Sequence, residues 1–248
     1  MSVRTAISSG VKNVCRCLGI RVERYNLATS LELRLTRMLA YHGVDFVLDV
    51  GASTGGYGRN LRTAGYRGRI LSFEPLRSVH AELVRRTVAD PAWAVAPPMA
   101  IGDRDGRSLM NVAGNSDSSS LLAMLATHST AAPESRYVTD EDVAVARLDG
   151  IRHPFIEEAS TPFLKVDTQG YEAHVIAGAA GVIPTLCGVQ VEMSLEPLYK
   201  GQALWRDLMN DLESRGFRLW SLVPGFFDKE SGRLLQCDSI FFRPRDHE

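Results

Sequence analysis

An α/β fold built on one mostly parallel sheet, closed by an antiparallel hairpin, is predicted by three features of this chain. Short and nearly all-apolar runs at 46–50, 70–73, 163–166 and 188–193 alternate with helical segments, the signature of parallel strands covered on both faces. Glycine or an acid closes most of these runs, as in Asp49-Val50-Gly51 and Phe73-Glu74-Pro75. The last two apolar runs, 217–223 and 239–243, have only a loop between them, which predicts a hairpin rather than a crossover. A length of 248 residues suits one large α/β domain.

Element by element, residues 30–42 put Leu31, Leu35, Met38 and Leu39 at helical spacing behind Ser30, a cap residue, and Gly43 ends the helix. Residues 1–43 are expected to form a helical extension packed on a domain that occupies 44–248. The first strand, Phe46–Val50, leads through a glycine turn into a helix over 55–64. The second strand, at 70–73, precedes a helix over 77–88. Residues 93–96 and 99–101 form a third strand region broken by Pro97-Pro98. A turn at 102–106, a strand at 108–112 and a polar loop at 115–120 follow. The stretch to Tyr137 has no clear period, and loops of that length are usually lids or connectors. A strand is expected at 143–148 and another at 163–166. Beyond it come a helix over 171–180, a strand at 188–193 and a helix over 204–215.

Composition narrows the function classes. Lys and Arg number 28 against 29 Asp and Glu, so no bulk positive field is available for nucleic acid, and none is expected as a partner. Basic residues do gather at the start: Arg4, Lys12, Arg16, Arg21 and Arg24, with Glu23 the only acid among them. A solvated helix capping the domain is the simpler reading, and peripheral contact with an anionic membrane the other. Cys15, Cys17, Cys187 and Cys237 show neither a disulfide framework nor zinc spacing. No apolar run approaches the ~20 residues of a membrane span, and no signal peptide is evident. The expected place is the cytoplasm, including the inner face of the membrane.

The chemistry is concentrated in Phe46-Val-Leu-Asp49-Val-Gly51-Ala52-Ser53-Thr-Gly55 and, after the next strand, Glu74-Pro75. An acid at the tip of the second strand can accept both hydroxyls of a ribose. The loop departs from G-x-G-x-x-G, whose glycines bring a helix N-terminus onto a pyrophosphate. Asp49 would repel a pyrophosphate but suits an ammonium and a sulfonium. S-adenosylmethionine is the cofactor expected, with Gly51 and Gly55 leaving room for it. A glycine turn that only packs a helix is the plain alternative.

Asp167 and Glu192 end the strands expected beside the first one. Two carboxylates there could take a proton from an attacking hydroxyl or hold a divalent cation such as magnesium, or simply cap a loop. Lys165 reads as salt-bridged or solvent-facing, and Glu172 as a helix-start acid. His128 and His174 are the candidate imidazole bases. Ser118, Ser119 and Ser120 could reach a ligand from a lid.

These motifs together resemble the FkbM family of S-adenosylmethionine-dependent methyltransferases over residues 44–243. The carriers are LDVGASTGGYGRNL (48–61), SFEP (72–75), AIGDRDG (100–106), NSDSSSL (115–121), FLKVDTQGYEAHVIAGA (163–179), VEMSLEPLYKGQ (191–202) and CDSIFF (237–242). The resemblance implies a class I, Rossmann-like methyltransferase fold and O-methylation of a hydroxyl on a sugar, glycolipid or related natural product. It would put the methionine end near Asp49 and Gly51, the ribose on Glu74, the adenine near Ala100, Ile101, Gly102 and Asp103, and the acceptor near Asp167 and Glu192. Two rivals stand beside it. A cofactor-binding scaffold without catalysis would keep the same acids. A nicotinamide-dependent oxidoreductase would need a proton relay such as Tyr-x-x-x-Lys, which the sequence lacks.

Overall fold

The structure is a computed structural model that describes residues 3–20, 22–23 and 25–245, with side chains of the first helix only from Gly10 onward. Arg21 and Arg24, and the side chain of Arg4, lie outside the described residues. The first helix, α1, is Val3–Cys17, and α2 is Leu31–Tyr41. Ser30 caps α2 as expected: its hydroxyl accepts the Leu33 amide at 3.1 Å.

The main sheet has seven strands in the order β3-β2-β1-β7-β8-β10-β9. These are β1 Phe46–Val50, β2 Arg69–Phe73, β3 Trp93–Val95, β7 Pro162–Val166, β8 Gly188–Ser194, β9 Arg218–Pro224 and β10 Gln236–Phe242. All pairings are parallel up to β8, while β10 runs antiparallel to both β8 and β9. That is the class I methyltransferase arrangement with its terminal hairpin. The strand order reverses at β1, between β2 and β7, so the crevice for a ligand opens at the carboxyl ends of these strands.

Alternation decides what each face buries. Val47, Ile70, Phe163 and Ile240 face a cluster completed by Leu35 and Leu39 of α2 and Leu61 of α3, Gly56–Thr63. Leu48, Leu71, Leu164 and Val189 face the opposite cluster, covered by Val175 and Ile176 of α7, Glu172–Ala177, and by Leu208 and Leu212 of α8, Trp205–Ser214. Helix α4, Arg77–Thr87, follows β2.

Two expectations are corrected. The third strand region is two elements in different sheets: β3 joins the main sheet, whereas β4, Ala100–Ile101, pairs with β6 in a separate three-stranded sheet ordered β4-β6-β5. Pro97-Pro98 lies at the break. In addition, β6 is Tyr137–Ala146 and pairs with β5, Gly106–Ala113, along its whole length, so it begins well before residue 143. Its first half, Thr139-Asp-Glu-Asp142, is largely solvent-exposed and carries no apolar alternation to signal a strand. Between them, 114–136 holds α5, Ala126–Ala131; α6, Pro154–Glu157, precedes β7.

Candidate functional site

At the reversal point the loops after β1, β2 and β7 are stitched together by backbone. The Gly51 and Ala52 amides donate to the Phe73 carbonyl at 3.1 and 3.0 Å, and the Asp167 amide donates to Val50 at 3.1 Å. Glu74 stands where β2 ends. One carboxylate oxygen accepts the Ser53 amide at 3.0 Å and the other the Leu76 amide at 3.0 Å, which fixes the plane of the group while its remaining lone pairs face a cleft. Burial pushes this carboxyl up to about 7, although both amides favour its ionised form.

That cleft is partly open and lies at the carboxyl ends of these strands, where α/β sheets hold small molecules. One end is apolar, lined by Phe73, Leu76, Val79, Ile101, Met110 and Leu121. The other is polar, lined by Ser53, Asp117, Asp167, Thr168 and Gln169. Val50, Gly51, Glu74, Pro75, Met99, Ala100, Ser116, Ser119 and Tyr171 complete the wall. Ala52, Gly55 and Gly102 shape the cleft without lining it.

The glycines serve a different purpose from the one expected. A Cβ on Gly51 would run into the Asp167 carbonyl, and one on Gly55 would meet the side chains of Leu83 and Trp93. Their φ angles are 75° and 83°. These positions therefore let two loops and a helix close on one another, rather than sparing room for a ligand.

Asp49 also moves. It is fully buried and does not line the cleft. One oxygen accepts from the Ser72 hydroxyl at 2.9 Å and the other faces the Lys165 ammonium at 3.3 Å. Lys165, itself buried, donates to the Gly51 carbonyl at 2.7 Å and lies 3.7 Å from Asp167. Asp49 thus holds the loop from beneath, through lysine, and offers no direct contact to a ligand's ammonium. Asp117 and Asp167 are the acids that line the cleft beside this loop, and the Asp167 side chain remains about a third exposed (36%).

Beside Asp167 lies a polar knot that the sequence reading did not weight. The Gln169 amide nitrogen donates to Asp167 Oδ1 at 2.9 Å and to Glu192 Oε2 at 2.8 Å. Gln236 donates to the same Glu192 oxygen at 2.7 Å. Glu192 is half-buried and does not line the cleft. Burial first, then the charges of Asp167, Glu172 and Asp238, raise its carboxyl well above the ordinary range. Glu172 accepts the amides of Thr168 and Gly170 and the Thr168 hydroxyl, so it braces the loop from within; burial pushes it up to about 7.

This arrangement does not fit a metal. A primary amide, which presents hydrogen to both carboxylates, stands where a cation would need oxygen. Among the described residues no group of three or more His, Cys, Asp or Glu side chains is placed to hold an ion. The magnesium expectation for Asp167 and Glu192 is withdrawn.

The histidines are displaced from the chemistry too. His174 does not line the cleft; it stacks on Tyr171, ring centroids 4.0 Å apart and planes 2° from parallel, and so backs a wall. His128 is buried against Tyr199 and Phe226, and burial lowers its pKa. The three serines are buried as well. Ser118 bonds Ser135, Ser119 accepts the Ala113 amide, and Ser120 donates to the Gln169 carbonyl at 2.6 Å. They build a strap over residues 115–121, and from it Ser119 lines the cleft. Ser53 ties the strap's far side by donating to Asp117 at 2.8 Å.

S-adenosylmethionine fits what is present. Glu74, Asp117 and Asp167 line the cleft and no Lys, Arg or His does, which suits a ligand with a sulfonium and an ammonium and leaves a pyrophosphate without a counter-charge. The apolar end matches adenine, and Glu74, between the ends, matches the ribose hydroxyls.

The chain has likenesses among known proteins. Among solved structures the chain is similar to magnesium protoporphyrin IX methyltransferase from Synechocystis with bound S-adenosylmethionine, at 11% identity and a TM-score of 0.47, covering 86% of this chain and 78% of that one. It is also similar to a TehB-like S-adenosylmethionine-dependent methyltransferase from Corynebacterium glutamicum, at 11% identity and a TM-score of 0.43, covering 97% and 98%. No curated protein matches the sequence. The family model described as the methyltransferase FkbM domain matches residues 49–219, well over half of the chain. On that match the chain belongs to the FkbM methyltransferase family, and it is an S-adenosylmethionine-dependent methyltransferase.

Proposed function

We propose that this chain methylates a hydroxyl oxygen on a sugar, a glycolipid or a related natural product. The observation that carries the reading is Asp167: one carboxylate that lines the cofactor cleft, stays partly exposed, and is anchored on one oxygen by Gln169. S-adenosylmethionine supplies an electrophilic methyl group when bound. Asp167 accepts hydrogen from the acceptor hydroxyl and takes its proton as the oxygen attacks, while the surrounding loops hold oxygen, carbon and sulfur in line.

The reading is tested by incubating the protein with labelled S-adenosylmethionine and panels of saccharides, glycolipids and, as a control, RNA and porphyrins. Alkali-stable label on a saccharide hydroxyl is expected. Label on nucleic acid or on a carboxyl group instead would replace this acceptor class.

A glycolipid acceptor also accords with α1 and the residues after it. Val11, Val14, Leu18 and Ile20 are exposed there beside Lys12 and Arg16, the makings of contact with an anionic bilayer. No helix among the described residues is long and apolar enough to cross a membrane. Co-sedimentation with vesicles containing phosphatidylglycerol, lost when Lys12 and Arg16 become Glu, is the expected result. Equal sedimentation of wild type and variant would remove the membrane from the proposal.

A further inference from the structure

Three non-glycine residues have positive φ among the described residues: Ser53 at 47°, Ser116 at 59° and Gln169 at 56°. All three line the cleft. Such backbone is unfavourable for a residue with a Cβ and persists only where its surroundings over-determine it. For Gln169 the surroundings are explicit. Its amide nitrogen reaches Asp167 and Glu192, its side-chain oxygen accepts from Tyr199 at 2.8 Å, and its backbone carbonyl accepts from Ser120. Every polar group of the side chain is satisfied, and each partner comes from a different element.

We infer that Gln169 is a positioning residue that makes closure of the strap at 115–121 and alignment of the Asp167–Glu192 acid pair a single event. The inference rests on the methyl-transfer reading of this cleft. Its logic is mechanical. The side chain's hydrogen bonds to Asp167, Glu192 and Tyr199 hold the residue in the left-handed region. Only there does its carbonyl meet the Ser120 hydroxyl, and Ser120 anchors the strap through paired backbone hydrogen bonds with Asn111, at 2.9 and 3.1 Å. Ligand under the strap and a correctly placed acid beside it therefore come together.

The charged and titratable groups around Gln169 are Lys165 from β7, Asp167 from the loop after it, Glu172 from α7, Glu192 from β8, Asp238 from β10 and the Tyr199 hydroxyl. Carboxylates outnumber the single ammonium. A glutamate at position 169 would lose both N–H donors and add a further negative charge, and it would regain one donor on protonation.

Hydrogen exchange of peptides spanning 111–124 tests this, with the full chain, with and without saturating S-adenosylmethionine, at pH 6 and pH 8 after correction for intrinsic rates. In the wild type the cofactor should slow exchange at least tenfold at both pH values. In Q169A that protection should fall below threefold while cofactor affinity changes less than fivefold. Q169G, which adopts positive φ without strain, should recover at least half of the protection lost in Q169A. Q169E should match Q169A at pH 8 and regain protection at pH 6. Wild-type protection in Q169A, or no pH rescue in Q169E, would overturn the inference. So would a loss of cofactor affinity in Q169A as large as that from E74A, because Gln169 would then be a cofactor ligand. A wild type that binds no S-adenosylmethionine would instead sink the underlying reading, a result separable from the other three. Melting temperatures of each variant identify any that fail to fold, and Q169G and Q169E still decide the matter if Q169A does.

Discussion

The two sides of the cleft use the same parts, a strand, a carboxylate and a tight turn, yet they fasten their carboxylates differently. On the β1–β2 side, Glu74 is held by two backbone amides, and Asp49 by Ser72 and a buried lysine. On the β7–β8 side, Asp167 and Glu192 are held chiefly by the side-chain amides of Gln169 and Gln236. Groups pinned by backbone move only if the sheet moves, whereas groups pinned by side chains shift when a rotamer does. On the function proposed above, Glu74, pinned by backbone, is thus rigid and preformed for the cofactor, and the Asp167–Glu192 side, pinned by side-chain amides, adjusts to the acceptor hydroxyl. Substitutions on the two sides should fail in different ways.

The largest effect is expected where the rigid side is cut from below. K165M would leave Asp49 as a fully buried, unpaired charge, which costs about 3–5 kcal/mol. Denaturant unfolding should show that loss, and adding D49N should restore most of it. If K165M costs under ~1 kcal/mol, the lysine–aspartate pair is not what supports the loop. Next in size is E74A. Two hydrogen bonds from ribose hydroxyls to an ionised group are worth roughly 1.5–3 kcal/mol each, so calorimetry should record a drop in S-adenosylmethionine affinity of about 100-fold or more, with some loss of melting temperature as the Ser53 and Leu76 amides lose their acceptor. D167N, on the adjustable side, should cost about tenfold in affinity by removing one charge from a partly exposed site. A D167N loss as large as that of E74A would erase the distinction between the two sides.

The rigid side was the more legible one in the sequence, and the reason is physical. Strands β1 and β2 are continuous apolar runs closed by acids or turns, and each began and ended within a residue of expectation. The register of β1 on β2 and β7 brings Asp49 beside Ser72 and Lys165, a consequence of strand pairing that single residues do not announce. The glycines were recognised as obligatory, but what they avoid is protein: Gly51 clears a carbonyl that lies 116 positions away, and sequence spacing cannot show that. The adjustable side was harder. Gln169 matters through Glu192, Tyr199 and Ser120, partners 23, 30 and 49 positions distant, and its type alone suggests nothing. The one available signal was a long polar residue between Asp167 and Gly170, at a strand end already marked as a site.

A smaller test concerns pH. Glu74 carries a pKa of about 7 in the folded, ligand-free chain against an ordinary 4.5. Its raised value means that the folded state holds a proton the unfolded state has released between those limits, so this carboxyl's contribution to stability declines as pH rises through that window. Cofactor binding runs the other way, because the ribose hydroxyls need the ionised acceptor. Affinity for S-adenosylmethionine should rise about tenfold from pH 6 to pH 8 and level off above, as expected for a single group titrating near 7. E74Q should flatten the curve at low affinity. A wild-type profile that is flat from the start would mean that the carboxylate is already ionised at pH 6 or does not touch the ribose, and equal slopes in wild type and E74Q would move the titrating group to the other side, where Glu192 also carries a raised pKa. The slope therefore reports which side of the cleft the cofactor feels first.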